Sequence, residues 1–135
     1  MTILEKEKEL IEEFELFDDW MDKYTYIIDM GKHSCQTSEI RKPENLVRGC
    51  NSQVWLDARF DDGKMFFRAD SDALIPKGIA QILVRVYSDN SPTEIIEHKA
   101  EFINKIGLEQ HLSPNRANGL VSMLNKIKEI SKTYL

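Results

Sequence analysis

The sequence predicts an α+β fold in which a small antiparallel β-sheet packs against several α-helices. Apolar residues recur at helical spacing through roughly the first 30 residues and again after residue 73. Between these segments, two runs alternate apolar and polar side chains around a short turn, which is typical of a hairpin with one buried face. The order of these elements, with helices on either side of a hairpin in the sequence, predicts a layer of helices packed on a small antiparallel sheet.

Length and charge favour a single domain over residues 1–135. The net charge of −5 comes without a basic stripe, so we expect no nucleic-acid partner. No apolar run approaches the ~18 residues of a membrane span, and the first residues, MTILEKEKEL, carry glutamates where a signal peptide carries an apolar core. We therefore expect a cytoplasmic protein without membrane contact.

Two helices are predicted at the start of the chain. The first begins with a capping box, in which Thr2 and Glu5 satisfy each other's backbone amides. Its apolar face carries Leu10, Phe14 and Phe17. The second follows a cap at Asp18 or Asp19 and should stop at Gly31 in a left-handed conformation, so that the two helices form a hairpin. Its apolar residues are Trp20, Tyr24, Ile27 and Ile28.

A loop and a β-hairpin follow. Residues 32–45 lack periodicity and contain Pro43, so we interpret them as a loop. The first strand begins near Gln53, and residues 61–63 form the turn to the second. The apolar face of the hairpin consists of Val54, Leu56, Ala58, Phe60, Met65, Phe67 and Ala69.

The remaining chain is predicted to be helical. Residues 73–87 form the central buried helix, with Pro76 in its first turn and Gly78 permitting close approach to the sheet. Two short peripheral helices should begin at Ser91 and end at Gly107. Ser113 and Pro114 start a last helix with the apolar stripe Leu120, Leu124, Ile127 and Ile130.

The two cysteines, Cys35 and Cys50, form neither a disulfide framework nor a zinc-binding pattern. The three histidines are widely separated along the chain, at positions 33, 98 and 111. The sequence therefore predicts no metal site and no cysteine–histidine catalytic pair. Cys35 lies among polar loop residues and is assigned no role.

Cys50 lies in a different setting, between Gly49 and the first strand. Glycine permits backbone angles that other residues resist, so the thiol can occupy the tip of a tight loop. An arbitrary lone cysteine is more often a buried filler, by roughly two to one, but the glycine and the strand beside Cys50 shift this balance towards a functional thiol. Reactivity also requires the thiolate, and an ordinary cysteine with a pKa of ~8.5 is mostly protonated at neutral pH. Arg48 is the nearest cation in sequence.

Four segments, in order along the chain, closely resemble the SufE family of sulfur-acceptor proteins, which work with cysteine desulfurases in iron–sulfur cluster biogenesis. They are YIIDMG at 26–31, RGCNSQVWL at 48–56, ADSDALIPKG at 69–78 and LSPNRANGL at 112–120. The resemblance implies a SufE/IscU-like fold and a persulfide relay without a cofactor. Cys50 would take sulfur from a SufS-like desulfurase, stimulate that enzyme and deliver the sulfur to a SufBCD-like scaffold. It also implies a loop that moves between an apolar pocket and the partner's active site.

Other candidate site residues surround this cysteine. Arg116 matches an arginine of the family segment and would stabilise the thiolate or bind the partner, although a solvated surface arginine fits equally well. Ser52 and Gln53 fall at the junction of the loop and the strand, where their side chains can hydrogen-bond the loop backbone, with the polarity of a strand edge as the alternative. Arg48 and Gly49 belong to the same loop. Asp72 ranks above Asp70 as a partner-binding residue, with helix capping as the alternative for both.

Three other functions remain open from the residues. The protein could be an adaptor that activates a desulfurase without carrying sulfur, in which case Cys50 is dispensable. A cluster or metal scaffold needs three or four soft ligands, more than two cysteines supply. A cysteine hydrolase needs a paired histidine.

Overall fold

The computed structural model describes residues 2–32 and 38–135, so Cys35 and His33 lie outside the described residues. The predicted α+β fold is confirmed. The described ranges form two strands, β1 (Val54–Asp61) and β2 (Lys64–Ser71), and seven α-helices, which are α1 (Ile3–Glu15), α2 (Trp20–Lys32), α3 (Leu74–Tyr87), α4 (Pro92–Glu97), α5 (Glu101–Lys105), α6 (Leu108–His111) and α7 (Pro114–Lys132). Short 3-10 helices span Ser38–Ile40 and Pro43–Asn45, within the predicted loop.

The sheet is the predicted hairpin. β1 and β2 pair antiparallel from Val54 opposite Ser71 to Asp61 opposite Lys64. Asp62 and Gly63, with φ of 50° and 77°, form the two-residue connection, as expected for a turn whose central residues both have positive φ. The inner face is buried against α3 over most of its length. Of the predicted apolar face, Phe60 remains 41% exposed and stacks on Tyr134, with 4.9 Å between ring centroids.

The N-terminal helices begin as predicted but end differently. The capping box of Thr2 and Glu5 is present, and the Asp22 amide donates to the Asp19 carboxylate over 2.9 Å, which identifies Asp19 as the cap. The predicted left-handed stop at Gly31 is wrong, because α2 continues to Lys32. Gly31 instead faces α3, where an added Cβ would lie 3.0 Å from the Gly78 amide nitrogen.

Gly78 does allow a close approach, but not to the sheet as predicted. A Cβ there would overlap the Ile27 carbonyl oxygen and lie 2.6 Å from Ile27 Cγ2. The two glycines therefore bring the backbones of α2 and α3 together, and α2 packs mainly on α3. This contact orients α2 so that Ile28 lines the cavity beside Cys50.

The two short helices predicted between Ser91 and Gly107 are present as α4 and α5. A third short helix, α6, was not predicted and follows Gly107, which has a φ of 80°. The prediction that the segment is peripheral is wrong, because it and α6 contribute a set of buried side chains to the core, Ile95, Phe102, Ile103, Ile106 and Leu108.

The last helix, α7, packs against α3, α4 and β1 and starts at the predicted cap, where the Arg116 amide donates to Ser113 Oγ over 3.4 Å. Its buried stripe includes Met123 beside Leu120 and Ile127, whereas Leu124 and Ile130 are only half-buried. Its first half lies against the cysteine loop. Across the described residues, no helix is both long and apolar enough to cross a bilayer.

Candidate functional site

Cys50 occupies a loop that leaves and rejoins one end of the sheet. Leu46 forms an isolated antiparallel bridge with Trp55, and the Val47 amide donates to the Val54 carbonyl over 2.8 Å. These bonds close the loop of residues 48–53 at its base. Gly49 adopts a φ of 92°, the left-handed conformation that favours glycine, and places the next residue at the bend.

Two small residues of α7 receive this loop, and we call Gly119 and Ser122 the α7 contact. A Cβ added at Gly49 would lie 2.5 Å from Ser122 Oγ, so a side chain there would collide as well as strain the backbone. A Cβ added at Gly119 would lie 3.5 Å from Cys50 Sγ. The thiol is 3.8 Å from the Gly119 carbonyl oxygen, a long and weak hydrogen bond. The loop therefore rests on α7 mainly through close packing.

The half-buried thiol borders a cavity of about 580 Å³. Its walls are mainly apolar and include Ile28, Val54, Leu74, Ile75, Ile79 and Met123. Ser52 lines the same cavity from the loop, and Arg116 lines it from the first turn of α7. The sulfur thus adjoins a space whose walls are mainly apolar, with polar side chains contributed by the loop and by the start of α7.

Burial also controls the protonation of this thiol. It raises the pKa of Cys50 above its usual value, because a thiolate is stabilised less in apolar surroundings. In the observed position the side chain is therefore a thiol at neutral pH. Activation requires the loop to move or a partner to supply a cation.

The exit of the loop is fixed to the turn between β2 and α3. The Gln53 amide donates to Asp72 Oδ1 over 3.0 Å, and the Asp72 amide donates to the Gln53 carbonyl over 3.2 Å. Ser71 Oγ also donates to the Gln53 carbonyl, over 2.8 Å. Gln53 thus takes part through its backbone, and the Asp72 carboxylate acts on the cysteine loop.

Asp70 is structural. It is buried and receives Arg41 Nε at 2.7 Å, with Lys77 Nζ at 3.6 Å from its other oxygen. Burial alone would raise the pKa of Asp70, but the bonds from Arg41 and the Ser71 amide hold it below its usual value. The capping alternative is wrong for Asp70 and Asp72, because α3 begins after Ala73 without a side-chain cap.

The two candidate arginines border different grooves. Arg116 borders the cavity, whereas Arg48 is exposed and borders a second groove of about 450 Å³ together with Ser122 and Lys126. Among residues 2–32 and 38–135, no group of three or more histidine, cysteine or acidic side chains is arranged to hold a metal ion.

Sequence reasoning missed the α7 contact. Ser122 carries no sequence signal, because a serine on a half-buried helix face is common. Gly119 does carry one, since a glycine inside a predicted helix usually has a packing reason.

The fold and site define an α+β protein in which Cys50, the one cysteine of residues 2–32 and 38–135, lies on a loop beside a mainly apolar cavity. The SufE family, described as an Fe-S metabolism associated domain, matches residues 8–131. Two SufE-like proteins are each 41% identical, that of Rhizobium etli over 92% of this chain and 88% of its own length, and that of Rhizobium meliloti over 95% and 94%. The chain belongs to the SufE family, whose domain is associated with iron–sulfur metabolism.

A solved structure supports the fold independently. The solution structure of a hypothetical protein from Thermus thermophilus superimposes with a TM-score of 0.78 and covers 95% of this chain and 94% of its own. At 20% identity, this likeness concerns the fold alone.

Proposed function

We propose that the protein is a sulfur carrier that accepts persulfide sulfur from a cysteine desulfurase on Cys50 and delivers it to an iron–sulfur cluster scaffold of the SufBCD kind. It acts as a single domain over residues 1–135, in the cytoplasm. The observation that carries the proposal is the placement of Cys50, the one cysteine within the described residues, on a loop that borders an apolar cavity in a chain of the SufE family.

The transfer is an exchange at sulfur. The Cys50 thiolate attacks the outer sulfur of the enzyme's cysteine persulfide, a new S–S bond forms on Cys50, and the enzyme's S–S bond breaks. The enzyme cysteine leaves as a thiolate and takes up the proton that Cys50 loses. One thiol and one persulfide are consumed and one of each is formed, so no oxidant or reductant is needed. Delivery to the scaffold repeats the exchange with Cys50 persulfide as the donor.

The cavity supports the carrying step. A persulfide extends the side chain by one S–S bond of about 2.05 Å. The adjoining space of about 580 Å³ accepts this sulfur without displacing the core. Its apolar wall keeps small thiols and oxidants from the outer sulfur, which would otherwise be lost to exchange or oxidation.

The same arrangement explains stimulation of a desulfurase. An enzyme that holds its product as a persulfide cannot turn over again until that sulfur leaves. A protein thiol that enters its site removes the sulfur and frees the enzyme cysteine. The Cys50 loop suits this task because its base is fixed to the sheet while its tip contacts α7 mainly through packing.

The experiment is a mass measurement. The protein is incubated with a SufS-type desulfurase, pyridoxal phosphate for the enzyme, and free cysteine, and its mass is then measured without reductant. We expect the mass of one or more sulfur atoms to be added to wild type and to Cys35→Ser, and not to Cys50→Ser. Cys35→Ser is the matched control.

Two other results would contradict carriage. Acceleration of the desulfurase by wild type and Cys50→Ser alike, with no added sulfur, identifies an adaptor. Iron or zinc that co-purifies at one equivalent per chain identifies a scaffold.

A further inference from the structure

The two edges of the sheet are protected unequally. On β2, the outward-facing backbone groups have partners in the segment that follows α3. The Met65 amide donates to the Asn90 carbonyl over 2.8 Å, and the Asp89 amide donates to the Met65 carbonyl over 2.7 Å. The Phe67 amide donates to Ser88 Oγ over 3.0 Å. This edge is therefore closed to any further strand.

The edge of β1 is closed only near the cysteine loop, where the isolated bridge covers it as far as Trp55. In an antiparallel pair, opposite residues direct their backbone groups either toward each other or both away. Ala58 lies opposite Phe67 and Phe60 lies opposite Met65, so their amides and carbonyls point away from β2. Within the two described ranges, no hydrogen bond reaches these four groups. The turn half of this edge is therefore open.

Exposed apolar side chains lie at the same place. Phe60 is 41% exposed and stacks on Tyr134, which is 43% exposed, and the neighbouring residue Leu135 is 74% exposed. Grouped apolar side chains on a surface mark contact sites, and an open strand edge is a template for pairing with another chain. The turn end of β1 combines both features.

The charges beside Phe60 match a second copy of the same strand. Arg59 precedes Phe60 and Asp61 follows it. If two copies pair antiparallel with Phe60 opposite Phe60, Arg59 of each copy lies opposite Asp61 of the other, and opposite charges stabilise cross-strand pairs. Moving the axis by one residue would oppose two Arg59 or two Asp61 side chains, which is unfavourable. The strand is therefore self-complementary in one register.

A register centred on Ala58 is blocked by the protein itself. It would place Asp61 of the second copy opposite Trp55, where Leu46 of the first copy already forms its bridge. The covered part of the edge thus limits pairing to the turn half of β1.

We propose that the protein forms a two-fold symmetric dimer in which the β1 edges of two copies pair antiparallel, with the axis at Phe60. Each Phe60 amide donates to the Phe60 carbonyl of the other copy, so the two hairpins become one four-stranded sheet. The same patch serves on both copies, as a closed dimer requires. The rings of Phe60 and Tyr134 from both copies then cover one another. This inference does not depend on the carrier function.

The arrangement keeps both thiols clear of the interface. Val54, where the strand leaves the cysteine loop, lies six residue steps from Phe60, or about 20 Å along an extended strand. The two Cys50 loops therefore lie at opposite ends of the shared sheet, roughly 40 Å apart.

The test is sedimentation equilibrium of the full chain with a reductant present, so that no disulfide joins two copies. We expect a reversible dimer with a micromolar dissociation constant, because the shared edge is short. Arg59→Asp opposes like charges at two equivalent positions, and we expect the dissociation constant to rise about tenfold or more. Adding Asp61→Arg exchanges the signs of both pairs and should restore the parental value to within about threefold. Both positions are exposed, so neither change enters the core.

Lys105→Asp is the matched control, because it changes an exposed cation at the end of α5 and should leave the dissociation constant unchanged. Equal weakening by this control would overturn the proposal, since net charge alone would then explain the effect. A double variant as weak as Arg59→Asp would also overturn it, because the two side chains would not face each other. A monomer at roughly 1 mM protein would overturn the dimer and leave the edge to an extended segment of another protein.

A second measurement locates the axis. In protein that carries Cys35→Ser and Cys50→Ser, Phe60→Cys should form a disulfide with its own copy on mild oxidation. Opposite residues of a hydrogen-bonded antiparallel pair have Cα atoms about 5.5 Å apart, within the range of a disulfide. Thr25→Cys, at an exposed position on α2, is the control. No cross-link at Phe60→Cys, or an equal yield at Thr25→Cys, would refute the axis at Phe60.

Discussion

Asp72 and Gln53 are joined by two hydrogen bonds, one from each backbone amide to the other residue. The Gln53 amide reaches Asp72 Oδ1 at 3.0 Å, and the Asp72 amide reaches the Gln53 carbonyl at 3.2 Å. The pair connects the exit of the cysteine loop to the start of α3. A side chain of the β2–α3 turn therefore controls how firmly the loop is held.

Replacing Asp72 should loosen the loop without unfolding the protein. Asp72→Ala removes one hydrogen bond at an exposed position, a loss of about 1 kcal/mol, which corresponds to about fivefold in a local opening equilibrium. We expect Cys50 to be alkylated by iodoacetamide about fivefold faster, measured in Cys35→Ser protein so that one thiol reports. Asp72→Asn keeps an acceptor oxygen and should react nearly as the parent does. Equal rates for Asp72→Ala and the parent would contradict this role.

Enlarging Gly119 should displace the thiol from α7. In Gly119→Ala the new Cβ lies 3.5 Å from Sγ, an ordinary contact, so Cys50 should keep its reactivity. Gly119→Leu adds carbons that overlap the sulfur, and we expect alkylation of Cys50 to rise about tenfold, since displacing a packed group costs over 1 kcal/mol. Asn118→Leu, at the exposed neighbouring position, is the control. Similar rates for the leucine and alanine variants of Gly119 would refute the contact.

The pH dependence of alkylation should reveal the buried thiol. Because burial raises the pKa of Cys50, the rate in native protein should reach half its maximum above the ordinary cysteine value of ~8.5. Unfolding restores the ordinary pKa, so this group's contribution to stability is complete below that value and is lost as pH rises through the native pKa. The rate profile in urea is the reference, and a native midpoint at or below it would contradict burial.

The contact between α2 and α3 should be intolerant of one methyl group. Gly78→Ala places a Cβ on the Ile27 carbonyl, so the helices must separate, and we expect a loss of roughly 3 kcal/mol in the free energy of unfolding by urea. Gly63→Ala is the comparison, because its Cβ meets nothing within 4 Å and only the positive φ is strained, at about 1–2 kcal/mol. Equal stabilities of the two variants would show that the helices yield easily.

Periodicity predicted the elements because it records which face of each helix or strand is buried. The hairpin and the central helix follow from local spacing, and the N-terminal ends of α1 and α7 follow from their capping residues. Gly31 and Gly78 were misinterpreted because a glycine that permits a turn and a glycine that admits a neighbouring helix look alike in sequence. Only the tertiary arrangement distinguishes them.

The site likewise has features that neighbouring residues in the sequence predict and features that only the tertiary structure creates. Cys50 was identified from Gly49 and the following strand, which are neighbours in sequence. The α7 contact lies about 70 residues further along the chain, and no local pattern links Gly119 or Ser122 to the loop.

The hydrogen bond between Val47 and Val54 has a consequence for the depth that the thiol can reach. Cys50 lies three residue steps after the fixed Val47, and an extended chain advances about 3.3–3.6 Å per step, so the sulfur-bearing residue can travel only about 10 Å beyond the sheet. This reach limits which donors the protein can serve. A persulfide that lies deeper below its protein's surface than this distance plus one side-chain length cannot be reached unless the hydrogen bond at the base of the loop breaks.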